Sequence, residues 1–180
     1  NCPAPVLTLV ASKPSTLYWM PAVVLFRTDH LRQTPAPLEM AVGAIEEQDE
    51  QSLRDHQWFL TPSENLVDPL QYYRYIRASM GELTVAKEQY VAPRSGWFSD
   101  RSVCYLAAGR PVIMQSTGFE NIIPTGEGLF GFIDADSAIA AIETIMSDYS
   151  RHSKAALEIA EEYFGAERVV AAMLRKIGLL

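Results

Sequence analysis

The segment "STGFEN", residues 116–121, follows an apolar run and carries small polar residues that suit anion binding. A strand that leads through Ser-Thr-Gly into a helix leaves backbone N–H groups unpaired at the strand end. Such groups attract phosphate through hydrogen bonds and through the helix dipole. Gly118 adds no side chain that would keep a phosphate away. The segment therefore predicts a phosphate-binding loop, and an ordinary loop with a capping threonine is the alternative.

Two basic side chains earlier in the chain could neutralise a diphosphate. Lys87 follows the apolar stretch "ELTVA", and Arg101 lies in the cluster "SDRS". Arginine suits this role because its guanidinium forms paired hydrogen bonds with phosphate oxygens. Asp100 stands next to Arg101, so a structural ion pair between these neighbours is the alternative. Trp97 and Phe98 suit either a wall for base stacking or a cover over the core, and the core is favoured.

Three loops are expected to meet where such a ligand binds, because ligands of open α/β sheets lie outside the carboxyl ends of the strands. They are the loop after "ELTVA", the loop after "PVIMQ" and the "PTGEG" loop before "GLFGF". The predicted donor- or phosphate-binding residues are Lys87, Ser99, Arg101, Ser116, Thr117, Gly118, Phe119 and Glu120. Secondary candidates are Arg94, Asp100, Gly126 and Glu127. The sequence identifies no catalytic residue and no metal ligand.

Composition excludes several classes of function. The chain of 180 residues has a formal charge of −7, which argues against a nucleic-acid partner. Cys2 and Cys104 lack the spacing of a zinc site or a disulfide framework, so a reduced, cytoplasmic protein is expected. No apolar run is long enough for a transmembrane segment. The chain begins with Asn rather than Met, so a partial chain is expected.

The elements that would position these loops can be predicted from periodicity and capping residues. "VLTLV", "AVVLF", "ELTVA", "RPVIMQ" and "GLFGFI" are expected to be strands. "DPLQYYRYIRASMG" opens with an N-capping Asp68 and with Pro69, and its apolar spacing indicates a helix. "SDRSVCYLAAG" indicates a second helix, capped by Ser99 and ended by Gly109. Helical spacing is also present at Leu38, Val42 and Ile45.

The order strand, helix, strand predicts right-handed βαβ connections and a parallel sheet. Three further helices are expected over residues 135–148, 152–164 and 166–177, and these form a helical C-terminal tail. The apolar residues of the tail, among them Val169, Val170 and Met173, are expected to be core. Residues 1–56 form a poorly defined N-terminal segment, a remnant of a preceding domain or a linker, and residues 57–180 form the nucleotide-binding domain.

The stretch from "YIRASMGELTVAKEQYV" through "SGWFSDRSVCYLAAGRPVIMQSTGFENIIPTGEGLFGFIDADSAIAAIETI" resembles a known family. It is similar to the donor-binding, C-terminal half of retaining glycosyltransferases of the two-domain GT-B type. The similarity is greatest to a bacterial group that shares "GWFSDRS", "YLAxGRPV", "TGF" and "PTGEGL". The resemblance implies a Rossmann-like domain that binds a nucleotide-diphosphate sugar without a metal or other cofactor. It also implies that the loop of Thr117, Gly118 and Phe119 lies against the phosphates or the sugar of the donor.

The chain departs from this family in two respects. Many relatives carry two glutamates, one near the transferred sugar and one on the ribose, and the matching positions here are Gly96 and Cys104. The chain also lacks room for the N-terminal domain that binds the acceptor. The resemblance therefore implies the donor-binding part of a glycosyltransferase, completed by an N-terminal acceptor-binding domain or a partner chain. A non-catalytic nucleotide-binding or interaction module is the alternative.

Overall fold

The computed structural model describes the backbone of residues 7–10 together with residues 36–43 and 46–180. Within these residues lies a six-stranded sheet in the order β3-β2-β1-β4-β5-β6, in which every neighbouring pair is parallel. The strands are β1 Leu7–Val10, β2 Leu38–Val42, β3 Phe59–Pro62, β4 Gly81–Thr84, β5 Val112–Gln115 and β6 Leu129–Phe132. The expected strand "AVVLF" lies outside the described residues, and the other predicted strands are confirmed.

Helices lie along the chain between and after these strands. They are α1 Glu47–Asp55, α2 Pro69–Ala78, α3 Glu88–Val91, α4 Asp100–Ala107, α5 Ala135–Ser147, α6 Tyr149–Phe164 and α7 Ala166–Lys176. Short 3₁₀ turns form at Ser63–Leu66 and Phe119–Asn121. The architecture is an α/β fold with a parallel sheet, flanking helices and a helical C-terminal tail, as predicted.

Strand β5 is buried on both faces because its alternate side chains pack into two separate cores. On β5, Ile113 joins the core under α1 and α5, whereas Val112 and Met114 join the core under α2, α4 and α6. On β6, Phe132 joins the core under α1 and α5, and Leu129 joins the core under α2, α4 and α6. Sheets covered on both faces are the usual setting of parallel strands, which explains the continuous apolar runs in the sequence.

Local capping signals set the ends of several helices. The Asp68 carboxylate accepts a hydrogen bond from the Gln71 N–H at 2.9 Å, and Pro69 occupies the first turn of α2. Gly109 follows α4 with φ of 67°, a left-handed conformation that ends a helix readily. Ser99 stands at the N-cap of α4, but its side chain makes no capping hydrogen bond. The helix signals in the sequence were therefore reliable even where one cap is not used.

Two sequence-based expectations are wrong. The helical spacing at Leu38 and Val42 belongs to a strand, because β2 pairs with β1 on one side and β3 on the other. The apolar face of α7 is not core, since no residue of that helix is buried in the described structure and the exposed fractions of Val170 and Met173 are 52% and 62%. Helical periodicity in α7 thus marks an amphipathic helix rather than a buried one.

The sheet crosses the boundary that was expected between residues 56 and 57. Strands β1 and β2 precede this boundary and pair into the same sheet as β3 to β6, which follow it. The strand order reverses between β1 and β4, which is the point where open parallel sheets place a ligand crevice. The carboxyl ends of β4 and β5 lie next to that point, so the residues that follow them form the candidate site.

Candidate functional site

The loop before α4 and the loop after β5 are joined by hydrogen bonds that run in both directions. The Gly96 N–H donates to the Thr117 carbonyl at 2.7 Å, and the Thr117 hydroxyl donates to the Trp97 carbonyl at 2.6 Å. Thr117 is fully buried, so its side chain and carbonyl hold the loops together. The expected convergence of these two loops at the carboxyl edge of the sheet is thus present in the structure.

Gly118 sits at the contact between the two loops in a backbone conformation that favours glycine. Its φ is 94°, and a Cβ atom there would lie 2.9 Å from the Arg94 carbonyl oxygen. The N–H groups of Gly118 and Phe119 donate no hydrogen bond to any other described residue, although both residues are buried. Buried backbone donors usually have partners. The loop therefore contains two backbone donors without a partner among the described residues.

The helix that was expected after Ser-Thr-Gly is only the 3₁₀ turn Phe119–Asn121. A turn of three residues aligns too few peptide units to build a helix dipole. The helix dipole that was expected to attract phosphate is therefore absent at this loop. The N–H groups of Gly118 and Phe119 remain without a partner among the described residues.

Glu120 brings a carboxylate to the same loop. Its Oε1 accepts a hydrogen bond from the Ser116 hydroxyl and lies 4.0 Å from Nη2 of Arg94. Its Oε2 is buried and has no hydrogen-bond partner among the described residues. Arg94 has a φ of 50° and a side chain that is 58% exposed. The structure thus brings Arg94, Ser116, Thr117, Gly118, Phe119 and Glu120 together.

Lys87 lies after the neighbouring strand, where it forms the N-cap of α3. The Tyr90 N–H donates to the Lys87 carbonyl at 2.8 Å, so the backbone turns sharply there. The side-chain oxygen of Gln115 accepts a hydrogen bond from the Ala86 N–H at 3.1 Å and ties the end of β5 to the end of β4. Gln115 was not among the predicted site residues, although its place at the end of an apolar strand was a usable signal.

Arg101 pairs with a residue on β4 rather than with its neighbour Asp100. Its Nε donates to Glu82 Oε1 at 2.5 Å, and Glu82 is fully buried in the strand. Arg101 thus forms a structural ion pair, but its partner is Glu82 and not the neighbouring Asp100 that the sequence suggested. Ser99 and Asp100 precede Arg101, and Ser99 is buried while Asp100 is exposed. Sequence analysis missed Glu82, whose signal was an acid within an apolar strand.

The carboxylate of Glu82 in this ion pair affects the pKa values of Tyr72 and Cys104. Burial raises the pKa of Tyr72 to about 12, the charges of Glu82 and Cys104 raise it as well, and Arg101 opposes them. Burial also raises the pKa of the Cys104 thiol, and the carboxylates of Glu82 and Asp100 act in the same direction. Cys104 is thus not tuned to be a thiolate nucleophile.

The raised pKa of Tyr72 predicts a loss of stability at high pH. Between the ordinary value of 10.0 and about 12, the folded state keeps a proton that the unfolded state has released. The free energy of unfolding should therefore fall as pH rises through that window, by less than about 2 kcal/mol because the side chain is partly exposed and solvent screens part of the effect. Urea unfolding followed by circular dichroism measures the loss. A Tyr72→Phe variant should lose less stability over the same window, and equal losses in the two proteins would contradict this origin.

Gly126 and Glu127 lie at the opposite edge of the sheet from the other site residues. Their loop precedes β6, and the carbonyl of Gly128 accepts a hydrogen bond from the Val112 N–H at the start of β5. The expectation that "PTGEG" joins the carboxyl edge is therefore wrong, because parallel strands begin at one edge and end at the other. A hydrogen bond from Arg151 lowers the pKa of Glu127, and the Arg151 charge adds to this effect.

The aromatic residues near the site divide between the core and the surface. Phe98 packs between Phe119 and Phe164, with ring centroids 5.4 Å and 5.1 Å away, so it belongs to the core as favoured. Trp97 packs partly against the same core and stacks on Tyr90 with the ring centroids 4.9 Å apart. The pair of Tyr90 and Trp97 forms a half-buried wall beside the loop of Arg94.

The described residues contain neither a candidate metal site nor a membrane-spanning helix. Among residues 36–43 and 46–180, no group of three or more His, Cys, Asp or Glu side chains could hold a metal ion. No helix in that part of the chain is long and apolar enough to cross a membrane. The arrangement at the carboxyl edge therefore consists of backbone donors, arginine and a carboxylate.

This chain is similar to solved structures in its fold, at sequence identities of 16% or less among those described below. No family model and no curated protein matches the chain. Sucrose-phosphate synthase from Thermosynechococcus elongatus superposes with a TM-score of 0.63 at 15% identity, over 98% of this chain and 45% of its own. HepE of Anabaena in complex with UDP gives a TM-score of 0.67 at 16% identity, over 99% of this chain and 50% of its own. A putative UDP-N-acetylglucosamine 2-epimerase from Listeria monocytogenes superposes with a TM-score of 0.52 at 15% sequence identity. The superposition covers 100% of this chain and 47% of the epimerase chain. The chain thus spans about half the length of the solved structures that it matches.

Proposed function

We propose that this chain is the donor-binding part of a glycosyltransferase. In this role it holds a nucleotide-diphosphate sugar while the sugar passes to an acceptor hydroxyl. The observation that carries the proposal is the pair of joined loops at the carboxyl edge of the sheet. There the Thr117 side chain and the close approach of Gly118 to Arg94 hold the two loops together, and the N–H groups of Gly118 and Phe119 have no partner among the described residues.

Structures with the same fold support the choice of ligand. HepE, which superposes on 99% of this chain, has been solved with UDP-glucose, with UDP and with UDP and glucose. Two unpaired N–H groups and an exposed arginine are donors of the kind that phosphate oxygens accept. Donors already aimed at a diphosphate would stabilise the charge that develops when it leaves. No residue is assigned as a general base.

In this proposal, the acceptor substrate is bound by a part of the enzyme other than this chain. The chain covers 45% of the sucrose-phosphate synthase and 50% of HepE. We therefore propose an N-terminal acceptor-binding domain or a partner chain, with residues 57–180 carrying the donor site. A reduced, cytoplasmic location forms part of the same proposal.

The Gly118→Ala variant tests the site. The new Cβ would lie 2.9 Å from the Arg94 carbonyl oxygen, so the two loops must separate. We expect the affinity for UDP to fall at least about tenfold, since several aligned hydrogen bonds are lost together. Isothermal titration calorimetry measures the affinity. The control is Gly178→Ala, which also has a positive φ, of 74°, but has no atom within 4 Å of the new Cβ.

Two outcomes would contradict the proposal. One is a folded wild-type protein that binds none of UDP, GDP or TDP at millimolar ligand. The other is unchanged affinity in a folded Gly118→Ala variant. If that variant does not fold, Thr117→Val decides the matter, because it removes the hydrogen bond to the Trp97 carbonyl and keeps Gly118. It too should weaken UDP binding.

A non-catalytic nucleotide-binding module is the second candidate, and one observation favours it. At the two positions where the family resemblance implies carboxylates, this chain has Gly96 and Cys104, and the pKa of Cys104 is raised, mainly by burial. Nucleotide binding by this chain without sugar transfer by the complete protein would support the module. Sugar transfer that is lost in the Gly118→Ala variant would support the glycosyltransferase.

A further inference from the structure

The side chain of Gln115 joins the ends of two neighbouring strands at the carboxyl edge of the sheet. Gln115 is the last residue of β5, and its Oε1 accepts a hydrogen bond of 3.1 Å from the N–H group of Ala86, which follows β4. Ala86 is 2% exposed, so this bond satisfies a buried backbone donor. The bond also fixes the orientation of the amide, because a backbone N–H group can donate only to its oxygen end.

The nitrogen end of the same amide is unpaired in the described part of the chain. Gln115 Nε2 makes no hydrogen bond with residues 36–43 or 46–180. Nε2 is also not among the side-chain atoms of these residues that are buried without a partner, so it has accessible surface. A planar amide that is held through its oxygen therefore presents two accessible N–H donors in a fixed direction.

Gln115 adjoins both segments that carry the proposed diphosphate donors. Its hydrogen bond reaches the residue before Lys87, and the chain continues from Gln115 directly into the loop of Gly118 and Phe119. The N–H groups of Gly118 and Phe119 have no partner among the described residues. The same loop already contains the carboxylate of Glu120, so a neutral donor at residue 115 adds no further repulsion of an anion.

We infer that Gln115 donates a hydrogen bond from Nε2 to an oxygen of the donor's diphosphate. This inference rests on the proposed function. An amide suits the position because it accepts from Ala86 and donates to the ligand at the same time, which neither a carboxylate nor a lysine can do. Because the bond to Ala86 already holds the amide, little side-chain freedom is lost when the ligand binds. Gln115 thus couples the ligand to the junction of β4 and β5.

The Gln115→Glu variant separates ligand binding from the structural role of the side chain. Glutamate keeps an oxygen acceptor for the Ala86 N–H group, but it has no N–H donor and adds a negative charge. We expect the affinity for UDP to fall about tenfold or more in isothermal titration calorimetry, because a hydrogen bond to a charged oxygen is lost. The control is Gln71→Glu, which makes the same change at an exposed residue of α2 and should leave the affinity unchanged.

The neutral Gln115→Met variant shows whether the lost donor or the added charge lowers the affinity. Methionine removes both hydrogen bonds without adding a charge, so the affinity for UDP should fall in this variant as well. A loss of affinity in Gln115→Met alone would mean that the side chain only positions Ala86, and it would overturn the inference. A loss in Gln115→Glu alone would be due to charge and would also overturn it.

A measurement on the wild type decides the matter if the variants do not fold. The side-chain amide proton resonances of Gln115 should move to higher frequency when UDP is added and stay in place when uridine is added. Those of Gln71 should move with neither ligand. A Gln115 amide that does not move in UDP-bound protein, or that moves equally with uridine, overturns the inference. If the wild type binds none of UDP, GDP or TDP, the proposed function fails and the inference falls with it.

Discussion

The Gly128→Ala variant is expected to have a free energy of unfolding about 2 to 5 kcal/mol lower than the wild type. Gly128 has a φ of 70°, and its new Cβ would lie 2.4 Å from the Ala156 nitrogen and 2.7 Å from the Ala155 carbonyl carbon. Both atoms belong to the backbone of α6, so no side-chain rotation can relieve the contact. The loop before β6 would have to move away from the helix. Urea unfolding monitored by circular dichroism measures the loss.

The Gly126→Ala variant separates backbone strain from steric overlap. Gly126 lies in the same loop with a φ of 106°, but an added Cβ there would have no atom within 4 Å. We therefore expect the free energy of unfolding of this variant to be only about 1 to 2 kcal/mol lower than that of the wild type, because the backbone conformation is unfavourable for alanine. If the two variants lose the same stability, the close approach of the loop to α6 is not what requires glycine at residue 128.

The Arg101→Met variant is expected to lose about 2 to 4 kcal/mol of stability at neutral pH. Glu82 is fully buried, its Oε1 accepts from Arg101 Nε at 2.5 Å, and its Oε2 has no other partner among the described residues. Removal of the guanidinium therefore leaves a buried carboxylate without a compensating charge. The arginine side chain is 21% exposed, which lets water screen part of the loss. The same urea experiment measures it.

Two further variants show whether the buried charge is the cause. The double variant Glu82→Gln, Arg101→Met removes the carboxylate as well, so it should be more stable than Arg101→Met alone. The Arg74→Met variant removes an exposed arginine on α2 and should change stability by less than about 0.5 kcal/mol. A double variant no more stable than Arg101→Met would indicate that packing, not charge, explains the loss.

The pairing of Arg101 with Glu82 also bears on which basic residue would bind a diphosphate. A guanidinium whose Nε is engaged on a buried carboxylate is held on the flank between β4 and α4. Arg94 instead lies on the loop that contacts Gly118, with more than half of its side chain exposed. We therefore propose Arg94 as the principal basic residue for the diphosphate, with Lys87 at the end of the neighbouring strand.

Much of the fold could be predicted because its signals are local. Asp68 and Pro69 mark the start of α2, Gly109 marks the end of α4, and Gly165 separates α6 from α7. Each signal acts through hydrogen bonds or dihedral angles within a few residues of itself. The convergence of the two loops also followed from the sequence, because neighbouring parallel strands bring their carboxyl ends to one edge.

The remaining features depend on residues that are distant in the chain. The alternation of strands and helices and the position of the Ser116–Glu120 loop could be predicted from the amino-acid sequence, since propensity, capping and glycine act locally. Three features became evident from the folded chain: Glu82 is the partner of Arg101, Gly126 and Glu127 lie at the opposite edge of the sheet, and Leu38–Val42 is a strand. The physical reason is that charge pairing, sheet order and burial are set by which segments become neighbours, and local periodicity does not encode that choice.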